Sequence, residues 1–94
     1  MMRMRVTLVT APDCHFCADG RAVVQRISQD GIPLEVQELD WTDSAGTALI
    51  VRDGVLCPPA LYVDGELWAY GRLSERALRK KFEARIAARK AELK

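Results

Sequence analysis

The chain is poor in the residues that build metal sites. It has one histidine and three cysteines among 94 residues. A structural zinc site usually takes four Cys or His ligands. Here Cys14, Cys17 and Cys57 supply three, and His15 is squeezed between two of them, so no metal is expected. Long hydrophobic runs are also missing: nothing approaches the ~18 apolar residues of a membrane-spanning helix. The opening stretch MMRMRVTLVTAPDC carries two arginines, but its apolar segment is only about five residues long and a proline follows, which does not read as a signal peptide. A cytoplasmic location is expected. Thiols are kept reduced there, so a close cysteine pair is more often catalytic or metal-binding than a structural staple.

A charge of one sign is lacking as well, since the formal net charge is +1. The charge is unevenly spread, however. Residues 74–94 balance at +5 and residues 1–73 at −4. With no aromatic interleaved in the basic stretch beyond Phe82, it reads as the solvated face of a helix. No nucleic acid or membrane partner is expected. The 49% hydrophobic and 29% charged composition is ordinary for a globular protein. One domain over residues 1–94 is expected, and a monomer.

Val6–Thr10 (VTLVT) is β-branched and mostly apolar, which predicts a short buried strand. Pro12 and Asp13 end it, and Asp13 is placed to cap the helix that follows. From Cys14 to Ser28 the apolar positions Phe16, Cys17, Val23, Val24 and Ile27 suit one helical face, with Gly20 as a weak point. Asp30–Pro33 (DGIP) is a turn. Leu34–Leu39 alternates apolar with polar residues and predicts a strand with one wet face. A short helix follows to Val51, closed by Asp53–Gly54. Ala60–Val63 and Glu66–Tyr70 are strands joined by Asp64–Gly65, the strongest hairpin signal present. Ser74 caps a last helix whose apolar stripe is Leu78, Phe82, Ile86 and Leu93, and whose final turns are basic, as the helix dipole prefers. The order is β-α-β-α-β-β-α. Its first three elements form a right-handed crossover between parallel strands.

CHFC (Cys14–Cys17) therefore lies where the first strand hands over to the first helix. Cys14 sits near the helix N-terminus, where unpaired amides and the positive dipole end favour a thiolate. Such a setting, with the Cys-x-x-Cys spacing, brings a thiol pKa from ~8.5 into a range of roughly 3.5–7.5. The thiolate is the attacking species in disulfide exchange, and Cys17 is close enough to displace a mixed disulfide. A redox pair, part of a metal site and two packed thiols all remain open on the spacing alone.

CHFC after a first strand, PPALYVDGELWAYGRLSERAL near the end, and this element order resemble the thioredoxin superfamily, and within it small bacterial glutaredoxin-like proteins. The resemblance covers nearly the whole chain. It implies an α/β thioredoxin fold, a four-stranded mixed sheet flanked by helices. It implies that Cys14 attacks, that Cys17 resolves, and that Pro59 follows a cis peptide bond and shapes a substrate groove; an X-Pro bond is also the only ordinary place for a cis peptide. Pro58 lies where the superfamily pairs with an extended substrate, yet it has no N–H to donate.

The chain departs from glutathione-using glutaredoxins. Ala11, Pro12 and Asp13 precede Cys14 where a Lys or Arg is usual. Cys57-Pro58-Pro59 replaces Thr-Val-Pro. Tyr70 stands where a glycine is usual and crowds the place of a glutathione carboxylate, while Arg72 is a candidate cationic anchor. The tryptophan that precedes the pair in thioredoxins is absent, with Trp41 expected over the sheet edge and Trp68 in hairpin packing. Asp13 is a like charge that disfavours the Cys14 thiolate. His15, if protonated, stabilises it, and Phe16 is expected half-exposed in contact with substrate. Cys57 is read either as a third redox thiol or as a small buried apolar residue. The expected activity is thiol–disulfide oxidoreduction on a protein or small-molecule disulfide by the Cys14/Cys17 couple, regenerated by an external reductant. No cofactor is needed, with glutathione one available reductant. The rivals are a glutathione-dependent glutaredoxin and a non-catalytic redox-sensing or partner-binding module.

Overall fold

The computed structural model describes residues 3–92. The elements run β1 (Met4–Thr10), α1 (His15–Gln29), β2 (Leu34–Asp40), α2 (Ser44–Asp53), β3 (Ala60–Val63), β4 (Glu66–Tyr70) and α3 (Glu75–Glu92). They form one four-stranded sheet in the order β2-β1-β3-β4. β1 pairs parallel with β2, from Met4 opposite Leu34 to Thr10 opposite Asp40. It pairs antiparallel with β3, which forms the hairpin with β4. The α/β four-stranded mixed sheet expected from the sequence is present.

Alternation along β1 divides the core between two faces of the sheet. Met4, Val6 and Leu8 join Val23, Val24 and Ile27 of α1, Leu61 and Val63 of β3, and Leu78 and Phe82 of α3. Val9 points to the opposite face, with Ala60 and Tyr62, where Leu49 and Ile50 of α2 and Trp41 pack against them. The Tyr62 hydroxyl donates to the Leu49 carbonyl. Burial pushes its pKa up to about 12. Phe82 is fully buried, and a side chain of that size gains roughly 1.5–3 kcal/mol by leaving water. Trp68 does pack in the hairpin, with its ring 4.9 Å from that of Phe82.

The apolar stripe of α3 holds at Leu78, Phe82 and Ile86; Leu93 lies outside the described residues. Ser74 caps the helix, its hydroxyl accepting from the Ala77 amide. The basic character of α3 is largely used inside the molecule. Arg79 pairs with Asp30 and Glu75, Arg85 and Arg89 both reach Asp64, and Lys81 and Arg85 lie over the Trp68 ring. The hairpin turn has both central residues at positive φ, Asp64 at 50° and Gly65 at 83°, as a two-residue turn that follows the strand twist requires.

Two expectations need correction. β1 begins at Met4, two residues before Val6, because the parallel pairing with Leu34 and Glu35 extends it; local pattern does not register a partner ~30 residues away. β2 does not have one wet face and one dry one. Val36 is 48% exposed, since β2 is an edge strand and α1 covers only part of it.

Candidate functional site

The chain leaves β1 at Thr10, turns through Pro12 and Asp13, and enters α1 at His15. Asp13 was the expected helix cap. The structure gives that place to Cys14, whose extended backbone (φ −103°, ψ 111°) precedes the first helical residue and whose Sγ accepts from the Cys17 amide at 3.1 Å. Asp13 instead occupies the left-handed region at φ 53°, a conformation that Asp tolerates better than most residues. Its carboxylate therefore does not close the first turn.

Cys14 and Cys17 form a disulfide, with Cα atoms 5.1 Å apart. The two sulfurs differ in setting. Cys14 is half-buried, while Cys17 is 1% exposed and belongs to the buried side of α1. Cys17 Sγ accepts from the Ala11 amide at 3.5 Å. Each sulfur thus faces a backbone N–H, the kind of donor that favours a thiolate over a thiol. An open cavity of about 540 Å³ adjoins the pair, lined by both cysteines with Ala11, Pro12, Asp13, His15 and Arg21.

His15 points outward. Its side chain is 89% exposed, and Nε2 lies 3.7 Å from an Asp19 carboxylate oxygen one turn on; an exposed pair of this kind contributes little. Phe16 is 46% exposed, leaving it at the surface beside the cysteines rather than in the core.

The cis peptide bond is Pro58–Pro59. Pro59 is fully buried, and it is held from two sides. Its carbonyl accepts from the Gly71 amide at 2.8 Å. Its ring lies against Gly20 of α1, where a Cβ would stand 3.2 Å from Pro59 Cγ and 2.9 Å from Leu73 Cδ1. Gly20, weak by helix propensity, is therefore what allows the proline loop to approach α1, one turn past Cys17. Gly71 is at φ 78°, and a Cβ there would meet Cys57 Sγ at 3.3 Å. Cys57 is an exposed free thiol, not the buried apolar residue that one reading expected. Leu56, beside it, is 82% exposed.

The structure thus brings Cys14, Cys17, Asp13 and His15 to one cavity. It places Pro59 against Gly20 of α1, while Pro58, Cys57, Tyr70 and Arg72 do not line that cavity. Tyr70 and Arg72 are both exposed. Among the described residues, no group of three His, Cys, Asp or Glu side chains is placed to hold a metal ion, and no helix is long and apolar enough to cross a membrane.

Sequence reasoning missed three participants. Arg21 makes two hydrogen bonds to the Glu38 carboxylate, at 2.7 and 2.8 Å. Thr10, only 5% exposed, donates its hydroxyl to the same carboxylate. The guanidinium, with help from Thr10, holds the Glu38 carboxyl below its ordinary pKa, and Glu38 in turn raises that of Arg21. The four-residue spacing of Cys17 and Arg21 on one helix was the available signal. Nothing local links Glu38 to either.

The chain matches no family model and no curated protein. Among solved structures it is similar to a mutant thioredoxin from Halobacterium salinarum, at 25% identity and a TM-score of 0.66, over 86% of this chain and 73% of that one. It is similar to the oxidised form of mitochondrial thioredoxin 3 from Saccharomyces cerevisiae, at 17% identity and a TM-score of 0.61, over 86% and 77% of the two chains. A thioredoxin-like protein aligns at 21% identity and a TM-score of 0.58, over 79% of this chain and 95% of that one. Sheet order, the disulfide at the head of α1 and these neighbours agree: the chain is built on the thioredoxin fold, as a small protein of that superfamily with a Cys-x-x-Cys disulfide.

Proposed function

We propose that the protein is a glutaredoxin-like thiol–disulfide oxidoreductase of a reducing compartment. The observation that carries this reading is the asymmetry of the pair: the half-buried Cys14, whose sulfur accepts from an amide at a helix N-terminus, with the buried Cys17 one turn behind it. In the reduced protein, the Cys14 thiolate attacks one sulfur of a client disulfide. A Cys14–client disulfide forms, and the other client sulfur leaves as a thiolate and takes a proton from water. Cys17 then loses its proton and attacks Cys14 Sγ. The Cys14–Cys17 bond forms, the second client sulfur departs, and the client has gained two electrons and two protons overall. An external thiol reductant restores the dithiol.

The cis Pro58–Pro59 segment beside α1 supports a groove for an extended client. The client is a protein or small-molecule disulfide, met by one copy of this chain with no metal or organic cofactor. The Gly71 amide already donates to Pro59, which leaves it engaged rather than open to a glutathione carboxylate, so a protein client is the favoured one. Arg72, His15, Phe16 and Cys57 flank the path such a client would take.

The test is turnover. Reduction of a protein disulfide by a small dithiol should be accelerated by the wild type and lost in Cys14→Ser. Absence of acceleration in the wild type would reduce the reading to a redox-responsive module. Turnover sustained by glutathione but not by the dithiol would move it to the glutathione-dependent class.

A further inference from the structure

The proposed exchange needs the buried Cys17 thiol to lose a proton and become a nucleophile in the second step. Burial raises a thiol pKa, so something must favour the Cys17 thiolate. A chain of contacts leads from its sulfur to a guanidinium on the same helix. The Ala11 amide donates to Cys17 Sγ. Thr10, the residue before Ala11, donates its buried hydroxyl to Glu38. Glu38 holds Arg21 through two hydrogen bonds. Arg21 lies four residues after Cys17, one turn along the same helix, and residues so spaced share a helical face. These contacts tie the end of β1, the second turn of α1 and the edge strand β2 together.

Arg21 lines the cavity with Cys17, and Glu38 does not. Both residues also line a second cavity, with Val24 of α1 and Val36 of β2, so Arg21 is the member of the pair that reaches the cysteine cavity as well. We infer that Arg21, held in place by Glu38, is a positioning residue for the resolving step: its guanidinium favours the Cys17 thiolate as that sulfur attacks the Cys14–client disulfide. This rests on the proposed exchange activity and adds a residue to it. The other charged groups facing the cavity are Asp13 and His15, from the loop and the first turn of α1. They are the immediate sequence neighbours of Cys14, so they bear first on the attacking step. Water in the open cavity takes the proton that Cys17 releases.

The two steps can be read separately. The reduced full-length protein is mixed with an excess of a small aromatic disulfide, quenched with acid at intervals, and mapped by peptide mass. The Cys14–probe adduct reports attack, and its conversion to the Cys14–Cys17 disulfide reports resolution. In Arg21→Gln, resolution at pH 7 should slow by about three- to tenfold, the size expected when a nearby charge shifts a pKa by up to about one unit. Attack should stay within about twofold. The pH at which resolution reaches half its maximal rate should rise, Arg21→Lys should restore most of the rate, and Glu38→Gln should give a smaller slowing of the same step.

A structural role for the ion pair would slow both steps together and leave the pH profile in place. That outcome, or an unchanged resolution rate in Arg21→Gln, overturns the inference. If Arg21→Gln does not fold, Arg21→Lys and Glu38→Gln decide: a resolution rate and pH midpoint identical to wild type in both overturns it. A wild type that forms the adduct but never closes the Cys14–Cys17 disulfide overturns the exchange reading itself, and this inference with it.

Discussion

Replacing Gly20 by alanine sets two effects of similar size against each other. By helix propensity, Gly→Ala inside α1 gains up to about 1 kcal/mol. By packing it loses, because the new methyl would stand 2.9 Å from Leu73 Cδ1 and 3.2 Å from Pro59 Cγ. Leu73 has a flexible end and can turn away at the cost of its contact with the main core. Pro59 is a fully buried ring tied to Gly71 and cannot. Overpacking of this kind costs about 1–3 kcal/mol, so the net is a loss of about 1 kcal/mol. For a domain of this size that lowers Tm by roughly 4–8 °C. Calorimetry on the oxidised protein reads it. Ala18→Gly, at an exposed position of the same helix, is the control and should lose about 1 kcal/mol by propensity. Propensity alone gives the two variants opposite signs; the packing argument gives them the same sign. A higher Tm for Gly20→Ala would refute the claim that the proline loop presses on α1 at this point.

Other outcomes follow from the same contacts. Phe82→Ala removes a fully buried ring and should cost about 3–5 kcal/mol in urea unfolding; a loss under 1 kcal/mol would mean that α3 does not seal the core. Glu75 lies between Arg26 and Arg79, whose hydrogen bonds hold its carboxyl below the ordinary value of 4.5. A lowered folded pKa gives stability that is present above the ordinary value and lost as pH falls through the folded one. Tm should therefore decline in acid below about pH 4.5, and carboxyl NMR should show the Glu75 midpoint moving back up in Arg26→Gln. An unmoved midpoint would remove Arg26 from the cause. In Cys17→Ser, a client disulfide should leave a stable adduct on Cys14, visible as intact mass; rapid release of that adduct would show that Cys17 is not the resolving group.

The sequence carried the element order because each element announces itself locally. The alternation of β1, the stripe Leu78–Phe82–Ile86, and Asp64–Gly65 all act within a few residues. The cysteine pair and the cis-proline were legible because their signals are short motifs. What was hidden depends on distant partners. Gly20 read as a flaw in a helix, and only the approach of Pro59 and Leu73 gives it a purpose. Asp13 looked like the cap because Asp caps well in general; the turn after Pro12 instead puts it in the left-handed region, and the cysteine sulfur takes the amide. Glu38 stood in an ordinary alternating strand, and its meeting with Arg21 and Thr10 depends on the parallel register of β2 against β1.

The central claim, that Cys14 and Cys17 form a working redox couple, is tested most directly by equilibrium. The protein is held in a series of reduced-to-oxidised glutathione ratios, trapped with an alkylating agent, and read by intact mass and peptide map. The account predicts one two-electron transition carried by Cys14 and Cys17 together, with Cys57 outside it. Three thiols that alkylate fully at every ratio, or a disulfide that runs to Cys57 instead, would contradict it.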